Sequence, residues 1–276
     1  MLIIELLGGV GNQLFQYAAA KAVSMRTGME LKLEITEFED YSLREYELNN
    51  FKIQENFATV NEIVSLVKRR RLFQKNYFKE KTGKFLPEIL RIKNPAYLEG
   101  YFQSEKYFKD IEGIIKHEFT FNNLDFLQNY NILEEIRQKN AVSIHVRCGD
   151  YINAPETAKI HNICTMKYYE NAIKYIQKKV ENPTFYLFSD DIAWVVKNFK
   201  SNVDVKILNT ANWQEDLYFM QNCKHNIIAN SSFSWWGAWL NNNPDKIVVA
   251  PNKWFSECSK LDYKSVVPMT WIKVSV

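Results

Sequence analysis

The second half of the chain alternates between strand patterns and helix patterns, and this alternation restricts the fold more than any other feature. A strand pattern at 142–147 precedes an amphipathic pattern at 165–180 that has the period of a helix. Three more strand–helix pairs follow, and a last apolar run at 246–250 ends at a proline. Strands that alternate with helices predict a parallel sheet with helices on both faces.

The first half begins with the same alternation, although its later part is less regular. Strand patterns at 2–7 and 31–35 flank a helix pattern at 12–27. Because the pattern restarts near residue 140, we predict two α/β domains, at 1–140 and 141–276. A chain of 276 residues, of which 46% are hydrophobic, is long enough to bury a large core.

Composition excludes several classes of protein. The net charge of +3 gives no support to nucleic-acid binding. The apolar runs are shorter than the roughly 18 residues of a membrane-spanning helix, and the N-terminus lacks the basic stretch of a signal peptide. The four cysteines are widely spaced without a C-x-x-C pair, which favours a reducing cytoplasm over a metal or disulfide site.

Basic residues are concentrated in one segment, 68–93, which carries ten Lys and Arg residues against two Glu residues. One interpretation is a solvated surface of a loop and a helix. The other is peripheral contact with anionic lipid headgroups or with an acceptor that carries phosphate.

A glycine-rich turn at residues 8–13 joins the first strand to the first helix. Gly9 and Gly11 allow a ligand to approach the backbone closely, and the helix N-terminus favours an anion. The amides of Asn12 and Gln13 are candidates to contact sugar hydroxyls or phosphate. The alternatives are a tight turn without a ligand and a dinucleotide site, although Leu14 occupies the position where a dinucleotide fingerprint has glycine.

The strand at 142–147 places Ser143, His145 and Arg147 on one face. Arg147 lies at the carboxyl end of the strand, where open α/β sheets bind ligands, and a guanidinium there can bind a diphosphate through two contacts. Gly149 allows the chain to turn and leaves Asp150 near the same crevice. An ion pair between Arg147 and Asp150, and a core position for His145, are the structural alternatives.

Two further strand ends carry polar residues. Ser189, Asp190 and Asp191 follow the strand at 184–188, where they can either cap the next helix or contact a nucleobase or ribose. The spacing is not D-x-D, so we predict no metal site here. Together with the strand ends at Arg147 and Asn230, these residues describe an anionic-nucleotide site without a metal.

The strand at 225–229 is followed by four candidates for phosphate contact at the start of a helix: Asn230, Ser231, Ser232 and Phe233. Hydroxyls and backbone N–H groups at a helix start suit phosphate oxygens, although Ser also serves as an ordinary helix cap. Trp235 and Trp236 are interpreted as packing residues, with sugar stacking as the alternative.

Five sequence blocks resemble, in the same order, those of the α-1,2-fucosyltransferases of glycosyltransferase family 11. The resemblance covers the chain from residue 2 to about 255. The blocks are GGVGNQLFQYAAA at 8–20, LEGYFQSEKYF at 98–108, HVRCGDY at 145–151, FSDD at 188–191 and CKHNIIANSSFSWWGAWL at 223–240.

This resemblance implies a GT-B-like α/β fold of two facing Rossmann-like domains with parallel sheets. The N-terminal domain would lie on the acceptor side, and the C-terminal domain would bind GDP-L-fucose. The implied reaction is metal-independent inverting transfer of L-fucose to the 2-hydroxyl of a terminal galactoside, on an oligosaccharide or a lipid-linked glycan. Without a membrane anchor, the chain resembles a bacterial cytoplasmic enzyme that works at the inner membrane.

The resemblance also implies residue roles. Arg147 would hold the donor diphosphate, with Ser231 to Phe233 at its phosphate end. His145 and Asp190 would lie near the nucleoside, and the loop of Gly11 and Asn12 would close over the donor. Where the family usually has a second arginine, this chain has Cys148, which removes one possible cation from the site.

The acceptor hydroxyl must lose its proton to a base during transfer. Asp150 is the first candidate because Gly149 allows it to face the crevice, and Glu156 and His161 are the other candidates. Three alternative functions remain open from the sequence: an NAD-dependent oxidoreductase built on the turn at 8–11, a GDP-fucose transferase with another linkage, and a glycan-binding protein that uses Trp235 and Trp236.

Overall fold

A computed structural model describes residues 1–40, 44–68, 76–148, 164–256 and 261–276. The chain divides into two compact units. Unit 1 comprises Met1–Asn123 with Leu261–Pro268, and unit 2 comprises Leu124–Lys260 with Met269–Val276.

Unit 1 is built on a four-stranded sheet in the order β2-β1-β4-β3, and its neighbouring strands are parallel. The strands are β1 (Leu2–Glu5), β2 (Leu31–Glu34), β3 (Tyr77–Lys79) and β4 (Ala96–Glu99). The helices are α1 (Val10–Thr27), α2 (Glu37–Asp40), α3 (Val60–Lys68) and α4 (Glu112–Glu118). Gly28 caps the C-terminus of α1, and its φ of 68° is the left-handed conformation that glycine adopts without strain.

Unit 2 is built on a six-stranded parallel sheet in the order β10-β9-β8-β5-β6-β7. The strands are β5 (Asn140–Val146), β6 (Pro183–Ser189), β7 (Val205–Ile207), β8 (His225–Ile227), β9 (Val248–Pro251) and β10 (Ile272–Val274). The helices are α5 (Tyr130–Gln138), α6 (Met166–Gln177), α7 (Ile192–Asn198), α8 (Trp213–Asn222) and α9 (Ser232–Trp239).

Helices cover both faces of the unit 2 sheet, as the alternating pattern predicts. Val142 and Ile144 of β5 pack in one apolar cluster with residues of α6 and α7. Ala141, one residue out of phase, packs in a second cluster with residues of α5 and α8. His145 and Arg147 share the phase of Ala141, so strand alternation directs them to the face of the second cluster.

The units divide at residue 124, whereas the pattern predicted a boundary at 140. Helix α5 explains the difference, because Leu133 and Ile136 pack in the cluster of Ala141 on the unit 2 sheet. The chain then returns to unit 1 at Leu261–Pro268 before β10 completes the unit 2 sheet. Two α/β units with parallel sheets confirm the predicted fold class. Among the described residues, we find no helix that combines the length and apolarity needed to cross a membrane.

Candidate active site

An ion pair lies at the carboxyl edge of the unit 2 sheet. Val146 and Ser189 are register partners at the ends of β5 and β6, so the residues that follow them emerge side by side. The Arg147 Nη1 atom lies 2.8 Å from the Asp190 Oδ2 atom. The other oxygen, Oδ1, accepts the Cys148 N–H at 2.8 Å. Asp190 therefore orients Arg147, while the predicted partner Asp150 lies outside the described residues.

The sequence left open whether the acidic residues after β6 cap the next helix or serve the site, and the structure separates these two roles. Asp191 caps α7, because its carboxylate accepts the Trp194 N–H at 2.8 Å. The Ser189 hydroxyl accepts the Asp191 N–H at 3.1 Å. Of the three candidates, Asp191 is therefore the residue that caps α7, and this leaves Asp190 available to Arg147.

His145 is a buried imidazole beside this ion pair, with 3% of its surface exposed. Its Nδ1 atom has no hydrogen-bond partner among the residues that the structure describes. Burial lowers the pKa of His145 below its ordinary value, and the nearby Arg147 charge lowers it further, whereas Asp190 raises it. The ring is therefore neutral at physiological pH and lies 5.8 Å, between centroids, from Phe233.

The start of helix α9 supplies backbone donors at the same edge. Ser231 is the N-cap residue, but within the described ranges its side chain does not accept a bond from the first turn. Ser232 and Phe233 are half-buried in that turn. Asn230 differs from the prediction, because its amide lies inside the unit, donating to the Trp254 carbonyl at 3.0 Å.

Sequence reasoning missed Asp216, which lies in the first turn of α8. The Thr210 hydroxyl donates to its carboxylate at 2.6 Å. Burial raises the pKa of Asp216 to about 7, and the charges of Glu215 and Asp190 add to this rise. Its place after β7, at the edge that carries Arg147, was the available signal. Such a carboxyl can accept or donate a hydrogen bond near neutral pH.

Glu215, the neighbouring residue, is by contrast committed to structure. Its carboxylate accepts the N–H groups of Gln128 and Asn129 at 2.9 and 2.8 Å. The Asn212 side chain accepts the Glu215 N–H at 2.9 Å, which caps the start of α8. The Glu215 carboxylate therefore joins the start of α8 to the segment before α5.

The glycine-rich turn lies at the carboxyl edge of the unit 1 sheet. Gly8 has a φ of 77°, and a Cβ atom there would lie 2.8 Å from the Asn12 amide nitrogen. Gly9 caps α1, and a Cβ atom there would lie 3.7 Å from Nε of Arg44. The turn therefore requires glycine at Gly8. Gly11 is buried in the first turn of α1.

The predicted ligand-facing amides of this turn have different positions. Gln13 is fully buried, and its Nε2 donates to the carbonyls of Gly8 and Glu45 at 2.9 and 2.8 Å. Its Oε1 accepts the Glu47 N–H at 2.9 Å. Gln13 therefore holds two loops together and does not face a ligand, contrary to the prediction. Asn12 is only partly buried, and its Oδ1 accepts from Gln103 at 2.8 Å.

Carboxylates form a row across the same edge of unit 1. Glu5 of β1 pairs in register with Glu34 of β2. On the other side, Ile4 pairs with Leu98 of β4, so the residues that follow them, Glu5 and Glu99, are also neighbours. Lys79 pairs with Glu99. Burial and the neighbouring glutamates raise the pKa of Glu5 to about 7. Glu34 is buried and accepts from the hydroxyls of Tyr97 and Thr36.

Comparison with known proteins identifies the family. The family model described as glycosyl transferase family 11 matches residues 1–275. The chain belongs to glycosyl transferase family 11. The family membership that the five sequence blocks implied is therefore confirmed, and the chain is a glycosyltransferase. The oxidoreductase alternative is overturned. Trp235 and Trp236 are fully buried, which confirms packing and removes them as sugar-stacking residues.

Two curated relatives of this family 11 chain come from Escherichia coli. The chain is 33% identical to an α-1,2-colitosyltransferase, over 99% of both sequences. It is 36% identical to the O-antigen biosynthesis glycosyltransferase WbnK, over 92% of this chain and 95% of that one. Among solved structures, a mutant of Arabidopsis thaliana FUT1 in complex with GDP matches with a TM-score of 0.51 at 9% identity, over 92% of this chain and 71% of that one. This likeness shows the fold alone, which is of the GT-B class.

Proposed function

We propose that this chain transfers L-fucose from GDP-β-L-fucose to the 2-hydroxyl of a terminal galactoside, with inversion, to form an α-1,2 linkage. Unit 2 would bind the nucleotide and unit 1 the acceptor. The observation that carries the proposal is the Arg147–Asp190 pair beside the start of α9, in a chain that family 11 matches from end to end.

The chemistry requires charge stabilisation at the leaving group. The bond between C1 of fucose and the diphosphate oxygen breaks, and its electron pair leaves with GDP. The acceptor oxygen forms the new bond to C1, and its proton passes to a base. Arg147 and the backbone N–H groups of Ser232 and Phe233 would stabilise the diphosphate charge. The proposed base is Asp150, with Glu156 and His161 as alternatives; all three lie outside the described residues.

Other groups would complete the donor site. The Asp216 carboxyl would contact the nucleoside, since it lies at the edge that carries Arg147 and can exchange hydrogen bonds at neutral pH. The neutral His145 imidazole, which is buried, would support Arg147 and Phe233 from behind. We propose that no metal takes part. A guanidinium carries five N–H donors, so one contact with Asp190 is compatible with a further contact to a diphosphate.

The relative named α-1,2-colitosyltransferase favours a second candidate donor. Colitose differs from fucose in lacking the hydroxyl at C3. A site that binds this hydroxyl discriminates strongly against the deoxy sugar, whereas an apolar contact discriminates weakly. The linkage and the acceptor hydroxyl are the same in both candidates.

A donor and acceptor screen tests the function. The protein is incubated with GDP-fucose, GDP-colitose or UDP-galactose and a galactose-terminated oligosaccharide, with EDTA or with Mn²⁺. We expect mass spectrometry to detect a fucosyl or colitosyl product, and linkage analysis to place it on O2 of galactose. Transfer only from UDP-galactose would contradict the proposed GDP-linked donor, and dependence on Mn²⁺ would contradict the proposed metal-independent reaction.

We also propose that the chain works on the cytoplasmic side of the membrane and contacts anionic lipid through segment 68–93. Residues 69–75, which include three arginines, lie outside the described residues. Co-sedimentation with anionic liposomes, before and after neutralisation of the basic residues, tests this contact.

A further inference from the structure

The turn that follows β4, at residues 100–103, has an unusual backbone. Gly100 has a φ of 143° and Phe102 a φ of 51°, so both neighbours of Tyr101 are left-handed. A Cβ atom on Gly100 would lie 2.5 Å from the Glu80 Cβ atom, so only glycine fits there. A non-glycine residue such as Phe102 pays roughly 1 kcal/mol or more for this conformation.

Side chains from three other segments hold the turn in this conformation. The Glu80 carboxylate accepts the N–H groups of Tyr101 and Phe102 at 2.9 and 2.7 Å. The Gln16 amide donates to the Gly100 carbonyl at 3.1 Å. Phe102 is fully buried and packs edge-on against Tyr107, with 5.7 Å between ring centroids. The turn is therefore rigid on both sides of Tyr101.

This rigid turn leaves one aromatic side chain exposed. Tyr101 is 43% exposed, although the residue that follows it is completely buried. A tight turn alone would not require an aromatic residue between two left-handed ones. The turn lies at the carboxyl edge of the unit 1 sheet, where parallel sheets bind ligands. Strain that positions one exposed ring at such an edge indicates a contact with a ligand.

The surroundings of Tyr101 select the chemistry of that ligand. The carboxylates of Glu5, Glu34 and Glu99 lie across this edge, with Lys79 beside Glu99. Although Arg44 lies beside the glycine-rich turn, the excess of carboxylates at this edge disfavours an anionic group. A neutral sugar can donate hydroxyl hydrogens and pack its C–H face on an aromatic ring.

We propose that the ring of Tyr101 binds the terminal sugar of the glycan acceptor. This inference rests on the proposed function, because it assigns the acceptor of that reaction to the carboxyl edge of unit 1. The ring supplies the packing surface, and the amides of Asn12 and Gln103, which join the glycine-rich turn to the Tyr101 turn, lie on the same edge.

Kinetics of three variants test the proposal. With donor saturating, Tyr101→Ala is expected to raise the KM for a galactose-terminated disaccharide about tenfold, whereas Tyr101→Phe stays within twofold of the wild type because the ring is kept. The matched control is Tyr130→Ala, which removes an exposed tyrosine of unit 2. Affinity for GDP should be unchanged in all three, which also shows that they fold.

Binding of the disaccharide alone, followed by saturation-transfer NMR, separates this inference from the donor assignment. If the wild type binds the disaccharide and Tyr101→Ala does not, the inference stands even when the donor screen yields another sugar. An unchanged acceptor KM in Tyr101→Ala, or absence of disaccharide binding to the wild type, overturns it.

Discussion

Both units present the carboxyl edge of a parallel sheet, but the side chains at the two edges differ in chemistry. In unit 2 the edge presents a guanidinium and a serine-led helix start, with a buried imidazole behind them. In unit 1 it presents a row of glutamates, neutral amides and an exposed tyrosine. The first suits an anionic diphosphate and the second a neutral polyhydroxyl ligand. Two parallel α/β sheets can thus suit different ligand classes, because the side chains at their edges decide the chemistry.

The largest effect expected from this comparison concerns Arg147. Replacing it with Ala removes the cation at the unit 2 edge, and we expect the affinity for GDP and kcat/KM to fall about 100- to 1,000-fold. Calorimetric titration with GDP measures the first effect. Arg137→Ala, which removes an exposed arginine on α5, should leave GDP affinity unchanged. Near-normal GDP binding by Arg147→Ala would show that the diphosphate does not bind at this edge.

The next effect concerns the stability of the unit 1 edge. Gln13→Leu leaves two carbonyls and one N–H of the surrounding loops without their partner, and we expect a loss of about 2–4 kcal/mol in the free energy of unfolding. Urea denaturation measures this loss. Gln54→Leu changes an exposed glutamine of the same unit and should cost little. Equal stability of the two variants would show that Gln13 does not hold the loops.

A smaller effect concerns the carboxylate row. Because the pKa of Glu5 rises from 4.5 to about 7 on folding, its protonated form is favoured in the folded state. The wild type should therefore lose stability as pH rises from about 4.5 to about 7. At pH 8 we expect Glu5→Gln to be more stable than the wild type by about 1–2 kcal/mol, after allowance for solvent screening. Denaturation across this pH range, with the exposed Glu88→Gln as control, measures the slope.

The smallest effect concerns His145, whose buried Nδ1 atom has no hydrogen-bond partner within the described part of the chain, which costs stability. We expect His145→Phe to gain about 1 kcal/mol without ligand and to bind GDP more weakly. Because burial lowers the pKa of His145, the wild type should lose stability as pH falls below about 6.5, and this variant should lack that contribution. The control is His117→Phe on an exposed position of α4. Destabilisation by His145→Phe, together with unchanged GDP affinity, would make His145 a core residue.

Several parts of the fold and site could be predicted because they depend on local sequence. The strand–helix alternation placed Arg147, Ser189 and Ser231 at strand ends, and the structure has them at one edge of one sheet. Asp216 and Tyr101 were missed. The pKa of Asp216 depends on burial by distant residues, and the exposure of Tyr101 depends on a turn held by Glu80.

By itself, the sequence determined two α/β repeats, the order of the elements from β5 to β9 and the strand ends at which polar residues emerge, because periodicity is a property of neighbouring residues. It did not reveal β3, β4 or β10, because strands of three or four residues can be too short to show a period. Only the tertiary structure decided which of those polar residues can reach a ligand. Gln13 and Asn230 follow strands as predicted, yet both are buried, because their partners at Glu45 and Trp254 lie far along the chain. A buried amide binds whichever backbone group the fold brings beside it, and residue spacing alone does not reveal that group.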